Sequence, residues 1–355
     1  MDDIEDIYHP IALTENTFID VNDGKISLLS FINGEDEKDF RIKRNLFIKG
    51  RITLKESIAA RHKYKNAEDY MDVICDLSQA SLYVLKLIGM FKSIKLTQLR
   101  RHISLFPDII NNSELNSSLG YLTKMNLIMP WEYQPVKSDN IQDRIVYTLT
   151  SYGFGLLRYG YDMQCFNPQN FLYMNPRSHI KFWEIVDMYQ VLISLPIYKQ
   201  SSTFFNDQGN FNISSPLQIN VKLSRKHLAN LVFYPVLNND NENFYKEILS
   251  QWDNFVHKEN SDVDDDDGEL FLQKKVNDLP ITNNILTFYI PTLERANYLT
   301  SELQLGDFTF PILFIIGEQI INEGIEKAFF EPNEESDGLD IYSYQNLLTE
   351  NEDES

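Results

Sequence analysis

The sequence predicts a multidomain protein of mixed α+β and α/β class: a small N-terminal β arm, then a helix-rich segment ending in a β hairpin, then a larger α/β domain. Three observations predict it. Short strand-like runs fill the first 60 residues, and a helical period starts at Ala67. Beyond residue 178, apolar strand-like runs alternate with helical stripes. The length of 355 residues fits two or three domains of roughly 100–200 residues each. At 43% hydrophobic residues the chain can bury a core, which excludes a disordered or collagen-like protein.

The formal net charge is −20, and it is unevenly spread. Residues 1–37 carry −9, residues 38–103 carry +9, and residues 161–355 carry −19. Duplex binding works by neutralising phosphates, so DNA repels the acidic half while the basic block can bind it locally. A solvated surface of Lys and Arg is the competing explanation of that block. Cys75 and Cys165 are the only cysteines, too few for a disulfide framework or a zinc cluster. The opening Met1-Asp2-Asp3-Ile4-Glu5-Asp6 is the reverse of a cationic signal peptide. No apolar run approaches the roughly 18 residues of a membrane span. A cytoplasmic protein without membrane contact is expected.

Phe18 to Val21, the turn Asn22-Asp23-Gly24 and Ile26 to Ile32 read as a hairpin. Phe40 to Lys43 and Leu46 to Ile48 mix apolar and basic residues. Residues 1–66 are therefore expected to form the β arm and a basic connector. Tyr70, Val73, Ile74 and Leu77 then recur at helical spacing, and Leu82, Leu85, Ile88 and Phe91 continue the stripe after a break near Asp76–Ser78. Leu96, Leu99 and Ile103 define a second helix that Pro107 closes. Asn111-Asn112-Ser113 is a cluster of N-cap types before a third helix from Glu114 to Asn126, with Leu115, Leu119 and Leu122 inward. Leu127 to Trp131 leaves as a strand, Gln134 to Gln142 is a polar loop, Arg144 to Leu149 returns as a strand, and Thr150 caps a last helix. Three helices, strand, loop, strand and helix make the winged helix-turn-helix order, here over residues 67–162.

His179 to Leu195 reads as an apolar helix, and Ser201 to Ser215 as a polar break. Leu228 to Tyr234, Asn284 to Ile290 and Phe310 to Ile316 are strand candidates; Glu242 to His257, Thr292 to Leu303 and Glu318 to Phe330 are helix candidates. That alternation implies parallel crossovers in an α/β domain over residues 178–330. Residues 331–355 are acidic without a core pattern, and a disordered tail is expected.

Signatures of catalysis are missing. There is no P-loop, no Gly-x-Gly-x-x-Gly after a strand and no Gly-x-Ser-x-Gly elbow. His9, His62, His102, His179, His227 and His257 show no metal-ligand spacing. Metal-dependent phosphodiester cleavage needs clustered carboxylates, often with a nearby Lys. The acid-x-Lys triplets Asp23-Gly24-Lys25 and Asp36-Glu37-Lys38 lie in the arm, and the strand candidates at 228–234 and 285–290 hold no acid. The acidic run Asp262 to Glu269 lacks the ligand order of an EF-hand. No enzyme activity, cofactor or metal is expected.

The helix Leu115–Met125, its exit Asn126-Leu127-Ile128 and the re-entry Tyr147-Thr148-Leu149-Thr150-Ser151-Tyr152-Gly153 resemble the replication-relaxation family of Gram-positive plasmids and mobile elements. The resemblance covers about residues 78–160. It implies a winged helix joined to an α/β domain similar to restriction endonucleases, and a role around plasmid or phage DNA. Two departures stand out: the carboxylates expected on the α/β strands are missing, and the N-terminal arm is extra.

Two functions remain in competition, with a metal nuclease a distant third. The first is a DNA-binding accessory or regulatory protein whose third helix enters the major groove, with Asn112, Ser113, Asn116, Ser117, Tyr121 and Lys124 outward. Lys95, Arg100 and Arg101 on the second helix and Arg144 on the wing would hold phosphates. The second is an acidic protein-binding adaptor or inhibitor that, like a DNA mimic, occupies the cationic groove of a nucleic-acid enzyme. A homodimer is compatible with both.

Overall fold

The computed structural model describes residues 41–44, 64–134, 145–168, 171, 174–193, 195, 197–203, 217–222, 228–260, 283–333 and 338–342. They fall into two compact units that divide between Val186 and Asp187. The protein is of mixed α/β class, with one sheet in each unit.

In the first unit, β1 is Arg41–Arg44. Helix α1, Ala67–Asp76, starts at a capping box: Asp69 N donates to the Asn66 side chain, and the Asp69 carboxylate accepts from Asn66 N, both at 3.1 Å. Leu77 is extended and Ser78 caps α2, Gln79–Met90, which makes the break expected near Asp76–Ser78. Next come β2 (Ile94–Lys95), α3 (Leu96–Leu105), α4 (Asn112–Lys124), β3 (Ile128–Gln134) and β4 (Ile145–Leu149). Helix α5, Ser151–Gly155, continues as a π-helical turn over Leu156–Gly160. Helix α6, Pro176–Leu192, contains the boundary between the units. The sheet order is β1-β3-β4-β2, antiparallel throughout, with Ile94 opposite Tyr147 and Trp131 opposite Val146. Leu85, Ile88, Leu99, Leu115, Leu119, Leu122 and Leu149 are all buried, as their spacing predicts.

The second unit holds β5 (Tyr198–Ser202), β6 (Leu217–Lys222), β7 (Leu228–Pro235), α7 (Glu242–Asn260), β8 (Asn283–Ile290), α8 (Leu293–Leu303), β9 (Ile312–Ile316), α9 (Gly317–Glu323), β10 (Phe329–Pro332) and β11 (Leu339–Ile341). The strands lie in the order β11-β10-β9-β8-β7-β6-β5; β7, β8 and β9 are parallel and their flanking neighbours antiparallel. Val232, Leu286, Phe288 and Phe314 form one face of the core with Trp252 of α7 and Leu299 of α8. Leu231, Phe233, Tyr289 and Ile315 on the other face are buried too. Burial on both faces explains why these strands read as continuous apolar runs.

One polar row interrupts that core. The Asn230 amide donates to Gln218 Oε1 and to Asn284 Oδ1, both at 3.1 Å, and so links β6, β7 and β8. Asn230→Ala removes both donations from a fully buried site, and is expected to cost about 1–3 kcal/mol in urea unfolding.

Three expectations change. Two unexpected antiparallel strands, β5 and β6, lie at either end of the stretch read as a polar break, and β5 extends into it as far as Ser202. The helix expected over 318–330 stops at Glu323, Gly324 turns the chain at φ 89°, and Phe329–Pro332 is a strand. That strand reaches into the expected disordered tail, and β11 pairs with it, Phe330 opposite Ile341. Residues 1–40, 45–63, 334–337 and 343–355 lie outside the described residues.

Candidate nucleic-acid interface

The third helix of the sequence pattern is α4. The Asn111 side chain accepts from Ser113 N at 2.9 Å and Glu114 N at 3.0 Å, while the Glu114 carboxylate accepts from Asn111 N at 2.9 Å. This capping box satisfies amides that a helix start leaves without partners. Leu115, Leu119 and Leu122 fill the inward face. After Met125, Asn126 at φ 57° takes the left-handed conformation that ends the helix and turns the chain into β3.

The joint below α4 explains the exit and re-entry motifs. Tyr64 Oη donates to Met125 O at 2.8 Å. Thr150 N donates to Leu127 O at 3.0 Å, and Thr150 Oγ1 donates to the same oxygen at 3.2 Å. Gly153 packs on that carbonyl so closely that a Cβ would lie 2.0 Å from Leu127 O. The hairpin base is thereby fixed to the helix end.

Asn112, Ser113, Asn116, Ser117 and Lys124 are exposed along α4, and Tyr121 is half-buried. Arg100 on α3 is half-buried. Lys95 and Arg101 are only 2% and 7% exposed, so the phosphate contacts expected of them are not available in this conformation. The Lys95 ammonium lies over the Trp183 ring, 5.8 Å from its centroid. Trp183 is held there by Nε1 donating to Ser93 Oγ at 2.9 Å and by Gln98 Nε2 donating to Trp183 O at 2.8 Å. Arg144 lies outside the described residues.

Strand pairing joins to the hairpin a basic segment that the sequence placed in a separate arm. β1 is Arg41-Ile42-Lys43-Arg44, and it adds to the hairpin beside β3, with Arg41 opposite Gln134 and Lys43 opposite Glu132. The alternation of basic and apolar residues there was the available signal; its partner strand, about 90 residues away, was not.

Two groups limit the positive field. Burial pushes His102 down to about 3 and, chiefly, His179 down to about 4, so both are neutral at physiological pH. Between the start of α2 and α4 lies a cleft of about 540 Å³ lined by Asp76, Glu114, Ser117 and Tyr121 among others. Burial, and then the Asp76 charge, raise the Tyr121 hydroxyl above its ordinary value, so it stays a neutral donor. Among the described residues no group of three or more His, Cys, Asp or Glu is placed to hold a metal ion, and no single helix is long and apolar enough to cross a membrane. No protein-family model, curated protein or solved structure matches the chain.

Proposed function

We propose that residues 67–162 form a winged helix that binds duplex DNA, and that the protein is a non-catalytic accessory or regulatory DNA-binding protein of a plasmid, phage or other mobile element. The order α2-β2-α3-α4-β3-β4, with β2 and β3 both paired to β4, supports the winged helix. In that arrangement α4 enters the major groove and the hairpin lies along the phosphates. The tie to mobile elements rests on the replication-relaxation resemblance. The second unit is proposed to be similar to restriction endonucleases without their acids, since β6, β7 and β8 hold no carboxylate.

The observation that carries the DNA reading is β1, whose backbone pairs with β3 at the edge of the hairpin and whose sequence Arg-Ile-Lys-Arg has three basic residues in four. Lys and Arg on an edge strand also block edge-to-edge association, so a salt titration must separate the two roles. Anisotropy with a mixed-sequence duplex is expected to show binding at about 50 mM salt, falling steeply as salt rises. Replacing Arg41, Lys43 and Arg44 together by Gln should lower the log–log salt slope by about 0.9 for each phosphate contact removed. An unchanged slope assigns β1 to edge protection instead.

The cleft favours a second reading. Glu114 on α4 and Asp76 across the cleft from it oppose phosphate on that flank and suit a cationic partner, as does the −19 charge of residues 161–355. An acidic adaptor or inhibitor of a nucleic-acid enzyme would use these features, and the absence of DNA binding at low salt would favour it.

A further inference from the structure

We propose that α4 selects A·T base pairs in the major groove, with Gly120 letting a thymine methyl group come up against the helix backbone. The inference rests on the DNA reading above and names the duplex that the same site takes.

Asn112 and Asn116 are one turn apart on α4, as are Ser113 and Ser117, and all four are exposed. No arginine lies on this helix, and its one lysine, Lys124, is in the last turn. Guanine presents two acceptors to the major groove and is read by Arg or Lys. Adenine presents an acceptor at N7 and a donor at N6, which matches the donor and acceptor of a carboxamide. Ser117 Oγ already donates to Glu114 O at 3.0 Å, so toward a ligand it is an acceptor. Glu114 is exposed on the same helix, but its carboxylate accepts from Asn111 N at the helix start, and the remaining exposed groups fit adenine better than guanine.

Gly120 is the second observation. It falls between these polar residues and Lys124 on the same face, four positions after Asn116 and four before Lys124. Glycine in a helix interior is disfavoured relative to alanine. Gly153 is sterically required, because an added Cβ would lie 2.0 Å from the Leu127 carbonyl oxygen, and at Gly89 and Gly155 an added Cβ would press on the side-chain ends of Leu157 and Tyr70 at 2.6 and 2.9 Å. At Gly120 nothing lies within 4 Å of the added Cβ. Packing of the free protein does not call for glycine there, whereas a surface lying flush against the helix does. In an A·T site that surface is the thymine methyl group, the apolar feature of the major groove.

Selection from random duplexes by the full-length protein at low salt is expected to enrich A·T pairs in the core of the site. In the selected duplex, 7-deaza-adenine removes N7 and uracil removes the methyl group. Replacing adenine by 7-deaza-adenine should weaken binding by roughly 5- to 150-fold. Uracil in place of thymine should weaken it too, and Gly120→Ala should do so without lowering the thermal midpoint. On the uracil duplex the Gly120→Ala loss should shrink, because the methyl group it collides with is gone. Binding with no base preference, or with G·C enriched, overturns the inference and leaves the DNA reading standing. A·T enrichment insensitive to both base analogues means readout of groove shape, and also overturns it. Gly120→Ala that binds like the parent removes the close approach. No binding to any duplex at low salt overturns the DNA reading itself.

Discussion

Leu119→Ala is expected to destabilise the first unit by about 2–5 kcal/mol. Leu119 is 0% exposed, at the middle of α4. Leu115 and Leu122 flank it along the same buried face, and α4 packs directly on α2. Removing its branched end takes away transfer free energy and leaves a cavity that two capped helices cannot close freely. Leu119→Met keeps most of the volume and should cost less than about 1.5 kcal/mol. The two units can unfold separately, so a single midpoint for the whole chain would mix them. Trp131 and Trp183 lie with Leu119, and their fluorescence reports this unit once Trp252 in the other is replaced by Phe. A loss well under 1 kcal/mol would show that Leu119 does not pack as described.

Acid should destabilise the same unit before its carboxylates protonate. His102 is buried beside Tyr83, whose hydroxyl lies 2.7 Å from His102 Nε2, and burial lowers it from 6.5 to about 3. His179 is lowered from 6.5 to about 4, burial again the largest cause. Both groups are bases with depressed folded values, so below pH 6.5 the unfolded chain binds protons that the folded chain refuses. Their stabilisation is complete above pH 6.5 and is lost as pH falls toward 4 and 3. With both histidines in that window the slope approaches about 2.7 kcal/mol per pH unit. The measurement is urea unfolding between pH 7 and 5. His102→Phe should flatten the slope by about half, and a flat profile in the parent would show that the histidines are not buried in neutral form.

Local patterns made α4 legible: three leucines at helical spacing name its face, and the N-cap types Asn111-Asn112-Ser113 place its start, though the helix begins at Asn112 and not at Glu114. The parallel strands β7, β8 and β9 were legible because burial on both faces leaves an apolar run. β6 does carry the strand alternation, Leu-Gln-Ile-Asn-Val-Lys, just past the polar stretch, whereas β5, Tyr-Lys-Gln-Ser-Ser, has no period and is a strand through its pairing with β6. The helix expected over 318–330 runs through Gly324, because the apolar residues beyond it fit a helical stripe as well as a strand. At the candidate interface, the exposed face of α4 follows from its buried one. The burial of Lys95 does not, because it depends on Trp183, nearly 90 residues along the chain. The basic edge of the hairpin likewise depends on a strand pairing that no local signal encodes.

Hydrogen–deuterium exchange of the full-length chain, with and without a mixed-sequence duplex at low salt, tests the proposed interface most directly. DNA should slow exchange in peptides covering Asn112–Lys124 and Arg41–Arg44 while leaving the strands β7 to β9 unchanged. Exchange in α4 and β1 that is identical with and without DNA, or protection confined to residues beyond Asp187, would contradict it.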